Sequence, residues 1–117
     1  MNEGLTMDLE KRRAAIAAYK ERVAIPGIYA VQCAATGECW VGRAPDLSTI
    51  HNRLWFTLRL GSCPHRSLQQ AWREHGGDAF SFERVEELDG EELGFALDRV
   101  IGERQDHWCE QLSATRI

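Results

Sequence analysis

The sequence predicts an α+β domain: a small, mainly antiparallel three-stranded sheet flanked by helices, with an extra helix ahead of it. Three observations lead there. Residues 27–42 alternate with period two on either side of a turn. Apolar residues then recur at helical spacing over 48–60 and 67–75. A lone strand pattern at 80–88 finally passes into a long helical one.

Residues 7–23 read as the first helix. Thr6 is its N-cap, Asp8 and Glu10 favour the dipole in its first turn, and Leu9, Ile16, Tyr19 and Val23 form its apolar stripe. Pro26 stops it, which divides the chain into an N-terminal helix, 1–25, and a domain, 26–117. In the first strand Ile28, Ala30 and Gln32 alternate with Tyr29, Val31 and Cys33, as a half-buried strand requires. Residues 34–38 form a hairpin turn with Gly37 at the positive-φ position, and Cys39 to Gly42 return antiparallel.

Asp46 or Ser48 caps the next helix, whose stripe is Ile50, Leu54, Thr57 and Leu58 and whose terminator is Gly61. Ser67 to His75 carry Leu68, Ala71 and Trp72 on one side. Phe80 and Phe82 alternate around Ser81 in the third strand. After an Asp89-Gly90 turn, a long helix from Glu91 to Leu112 shows Leu93, Leu97, Val100, Ile101, Gln105, Trp108 and Leu112 on one side.

The 117 residues suit one core, and their apolar and charged fractions are those of a soluble globular protein. No apolar run approaches the ~20 residues that span a membrane, and the N-terminus lacks the apolar stretch of a signal peptide, so a cytoplasmic location away from membranes is expected. Cys33, Cys39, Cys63 and Cys109 are then reduced thiols, with no C-x-x-C spacing for zinc. A formal net charge of −4 is a poor footprint for gripping nucleic acid. Yet Lys11, Arg12 and Arg13 cluster on the first helix, and Arg43, Arg53, Arg59, Arg66 and Arg73 lie between the second and third strands.

Gly27-Ile28-Tyr29, followed across the turn by Trp40-Val41-Gly42, resembles the opening of the GIY-YIG nuclease superfamily. The likeness continues through residues 42–47, through the Leu68-Gln69 helix ending at His75-Gly76, through Phe80 to Leu88, and through Arg104 to Leu112. It covers roughly residues 26–113. The resemblance implies metal-dependent phosphodiester hydrolysis of DNA, with Mg2+ or Mn2+ held by a Glu on the last helix while a strand Tyr helps to activate the nucleophile.

Carried over residue by residue, it names Tyr29, Trp40, Arg53, His65 and Gln105 as catalytic positions, and Gly42, Arg43, His51 and Arg66 as substrate-binding ones. Several depart from the family. Trp40 stands for the second Tyr, and an indole only donates. Ile50 falls at the family's Arg, with Arg53 one turn on. Leu54 and Cys63 fall where His is found. Gln105 falls at the metal-binding Glu, on the inward stripe, where it is expected to line the pocket; an amide is a poor ligand for a hard cation.

Two other readings stand beside the nuclease. One is a catalytically degenerate domain that binds nucleic acid or a partner. The other is a small-molecule enzyme using Cys63 as nucleophile, activated by His65 and Arg66. A homodimer or a partner protein is expected to use the N-terminal helix.

Overall fold

The computed structural model describes residues 24–117; the expected N-terminal helix lies outside the described residues. Strands β1 (Gly27–Cys33) and β2 (Cys39–Ala44) form the hairpin, with Tyr29 opposite Gly42 and Val31 opposite Trp40. The turn closes through Gly37 N–H on Cys33 O (2.8 Å) and Cys33 N–H on Glu38 O (2.9 Å), with Gly37 at φ 80°. β3 (Phe80–Glu87) pairs antiparallel with the other edge of β1, with a register shift between Ile28 and Tyr29.

A fourth, two-residue strand runs parallel to β2. With α1 (Leu47–Leu60), α2 (Arg66–His75), α3 (Gly90–Leu93) and α4 (Leu97–Leu112) placed, it is β4 (Thr115–Arg116), and the sheet order is β3-β1-β2-β4.

β1 is the middle of a sandwich rather than a half-buried strand. Tyr29, Val31 and Cys33 join Trp40 and Ala44 against α1 and α2, while Ile28 and Ala30 join Val41 and Ile101 against α4. Its alternation therefore separates two cores, and only Gln32 is exposed.

Asp46 caps α1 by accepting from Ser48 N (3.1 Å), and the same carboxylate accepts from Ile25 N (3.3 Å), fastening the start of β1 to the helix. Gly61 ends α1 at φ 77°, as its position predicts. The loop to α2 is held by the buried Gln69, which accepts from Cys63 N (3.0 Å) and donates to Leu58 O (3.1 Å). The long helix expected from Glu91 is interrupted: α3 ends after one turn, a 3-10 turn spans Gly94–Ala96, and α4 begins at Leu97. Gly94 sits at φ 52° and ψ −123°, outside the helical region, which is why the segment breaks there.

Candidate functional site

Three of the candidate residues meet in a cavity of about 220 Å³ lined by Tyr29, Ile50, Arg53, Leu54, Thr57, Pro64 and His65. β1 supplies Tyr29, α1 the next four, and the loop before α2 the last two. The phenol ring lies over Gly42, where a Cβ would collide with its Cζ and hydroxyl. Gly42 is thus small because Tyr29 crosses β2 there. Burial, and secondarily the Cys63 thiol, push the Tyr29 pKa up to about 12. Tyr29 is therefore a neutral hydrogen-bonding phenol near pH 7 rather than a phenolate. Burial also holds His65 below the ordinary imidazole range. Arg53, exposed on α1, is the cation at the mouth.

Beside this cavity Tyr29 stacks on Phe82 (centroids 5.2 Å), and Phe82 stacks almost coplanar on His51 (4.3 Å, 2°). His51 meets Trp55 edge-on, and Trp55 meets Trp72. His51 is thus linked to Tyr29 through the intervening Phe82 ring, and its pKa is lowered by partial burial and by Arg59.

A second cavity of about 350 Å³ lies beyond the same loop, lined by Gly61, Cys63, Arg66, Gln69, Gln70 and Arg73. Cys63 is buried there, whereas His65 faces the first cavity. The pair proposed as a nucleophile and its base is split between the two.

Trp40 and Gln105 serve the framework. Trp40 is 1% exposed and its indole N–H donates to Ser67 Oγ at 2.9 Å, so it ties β2 to α2 rather than facing a ligand. Gln105 is fully buried, and its Nε2 donates to Val41 O (3.0 Å) and Ile117 O (3.1 Å). It comes from α4, on the face of the sheet opposite Tyr29, and does not line the Tyr29 cavity as its place on the inward stripe suggested. Its Oε1 is buried without a partner. Arg43 likewise points toward α4, with its Nη1 against Gly102.

The expected cation has no seat among these groups. A divalent ion wants carboxylate oxygens, and among the described residues no carboxylate lines the Tyr29 cavity. The half-buried Glu86 already accepts from Arg104 Nε and Trp108 Nε1, both at 2.8 Å, on the α4 side. Burial raises its pKa, but these donors outweigh that and hold it below the ordinary range. Among the described residues no group of three or more His, Cys, Asp or Glu could hold a metal. The described residues do not fit the ion.

What does converge is positive charge. Between Leu47 and His75 the only carboxylate is Glu74, against Arg53, Arg59, Arg66 and Arg73. Among the described residues, the arginines in ion pairs (Arg84, Arg99, Arg104 and Arg116) all lie outside α1 and α2. Sequence reasoning noticed the arginines but missed Gln70 beside Arg66, the His51–Phe82 stack and the Ser67 anchor. The scarcity of carboxylates between Leu47 and His75 was countable; the other contacts join distant positions and left no local signal.

No protein-family model and no curated protein matches the chain. Solved structures do. The catalytic domain of the homing endonuclease I-TevI is similar at a TM-score of 0.66 and 25% identity, over 79% of this chain and 97% of that one. A point mutant of the catalytic domain of intron endonuclease I-TevI is similar at 0.64 and 26% identity, over 76% and 84%. With its hairpin, its two helices on one face and its last helix on the other, this chain is a GIY-YIG domain at the level of the fold.

Proposed function

We propose that this domain binds nucleic acid on its α1–α2 face, seating a backbone phosphate between Tyr29, Arg53 and His65, without cutting it by the metal-dependent route of the fold. One observation carries the reading: Arg53, without a carboxylate partner among the described residues, lines a cavity that also offers a neutral phenol and an imidazole. Such groups hold a phosphate by charge-assisted and neutral hydrogen bonds. Arg66 and Arg73, in the adjoining cavity, suit the next phosphate along the strand. The overall acidity is no obstacle, because among the described residues most acidic side chains follow Gly76, α1 carries none and α2 only Glu74.

Hydrolysis would need a carboxylate near Tyr29, and Gln105 faces two carbonyls instead. The absence of that ligand among the described residues weighs for binding over cleavage. The test is fluorescence anisotropy of labelled DNA at several salt concentrations, with plasmid cleavage assayed in Mg2+ and Mn2+ alongside. Binding that weakens with salt, and that falls several-fold in Arg53→Gln, is expected without strand breaks. Cleavage abolished by Tyr29→Phe would replace this reading with a nuclease using a rearranged ligand set. Absence of binding by the unmodified protein would end it.

A further inference from the structure

Two large apolar side chains on α1 face solvent: Phe56 is 58% exposed and Leu60 64%. They lie four residues apart, so they share one outer stripe, and Arg53 and Arg59 sit three residues to either side of Phe56. The helix has no acidic residue. Arg53 is also a wall of the Tyr29 cavity. One helical turn therefore leads from a phosphate seat to an uncovered aromatic ring flanked by cations.

We propose that Phe56 is a stacking platform for an unpaired nucleobase, so that the ligand of the α1–α2 face is a single strand rather than a duplex; this rests on the nucleic-acid reading above. Every base presents a π-face, and base–aromatic stacking with a cationic track is how single strands are held without sequence reading. The span suits a nucleotide: neighbours at this spacing stand about 5–6 Å apart at Cβ. In a duplex those faces are already stacked, and opening a step is costly. Leu60 extends the apolar floor toward the next base. A protein surface would equally like Phe56 and Leu60, but flanking arginines with no acid on the helix favour a polyanion.

The experiment compares a fluorescein-labelled oligothymidylate, its duplex with oligoadenylate, and an abasic oligonucleotide, each titrated with the full chain and with Phe56→Ala, Phe56→Trp and Arg53→Gln. Phe56→Ala should lose about tenfold in affinity for the oligothymidylate, keep its duplex and abasic affinities, and keep its salt slope. Phe56→Trp should retain binding. Arg53→Gln should weaken all three ligands and flatten the salt slope. Unchanged oligothymidylate binding by Phe56→Ala would overturn the platform while leaving the phosphate seat intact. Failure of the unmodified protein to bind any of the three would remove the nucleic-acid reading itself, and the platform with it. Loss of self-association on gel filtration in Phe56→Ala, with oligothymidylate binding unchanged, would assign the ring to a second copy of the chain and overturn the inference.

Discussion

The phenol ring of Tyr29 occupies the space that a side chain at Gly42, its register partner on β2, would need. The two residues are one device: a glycine that lets an aromatic ring cross its strand and reach the cavity. Gly42→Ala should therefore destabilise the domain by about 1–3 kcal/mol, the usual cost of overpacking. Thermal melts read this directly. In a Tyr29→Ala background the same substitution should cost almost nothing, because the colliding ring is gone. Equal costs in both backgrounds would place the strain elsewhere.

Tyr29 should titrate late. Its folded pKa, pushed up to about 12 by burial and by Cys63, exceeds its unfolded value near 10. The unfolded chain therefore loses this proton first. Stability contributed by the neutral phenol is complete below pH ~10 and is lost as pH rises toward 12. A phenolate difference spectrum between the native protein and Tyr29→Phe should show the missing step well above 10. A step near 10 would mean that the hydroxyl is solvated.

Gln105→Glu recreates the residue type expected at this position in nucleases of the fold, but here it should damage the structure before it helps any chemistry. The amide's N–H groups satisfy the carbonyls of Val41 and Ile117. An ionised carboxylate would face those oxygens with no donor, so a loss of at least about 2 kcal/mol at pH 7 is expected. The buried carboxyl has its pKa raised by desolvation. The loss should therefore shrink as pH is lowered toward 5 and grow as it rises, measured by denaturant unfolding against the unmodified protein. An undiminished melting temperature at pH 7 would show that Gln105 does not hold β4 to β2.

Cys63 should alkylate more slowly than Cys39 and Cys109 near neutral pH, with the still more deeply buried Cys33 slower again. Cys63 is buried, and His65 lines a different cavity, while Cys39 and Cys109 are only half-buried. Mass-spectrometric mapping of iodoacetamide adducts over time checks this. Preferential labelling of Cys63 would revive a thiol chemistry that the geometry does not favour.

The hairpin, α1 and α2 were legible because each is specified locally. Period-two alternation brackets Gly37, Asp46 precedes a helical stripe, and Gly61 follows it. Gly94 was also visible, yet a single glycine inside a helical pattern is ordinarily tolerated, and only its positive φ breaks the helix. β4 is too short for any periodicity to announce it; it exists through Ile117 N–H on Val41 O and the Gln105 amide. The same limit governs Gln105. Pattern can put a residue on the inward stripe of a helix, but not say which face of a sheet that stripe will meet. Trp40 is similar: its type and strand were readable, while the Ser67 hydroxyl that claims its N–H lies 27 residues away.

The segregation of charge between the two helical layers gives the molecule a polarity. Glu86, Glu87, Asp89, Glu91, Glu92 and Asp98 crowd the end of β3 and the helices that follow, whereas α1 and α2 carry Arg53, Arg59, Arg66 and Arg73 against the single carboxylate of Glu74. For the polyanion proposed above as ligand, this polarity would repel an approach from the acidic side and favour one from the basic side, so that encounters are oriented before contact.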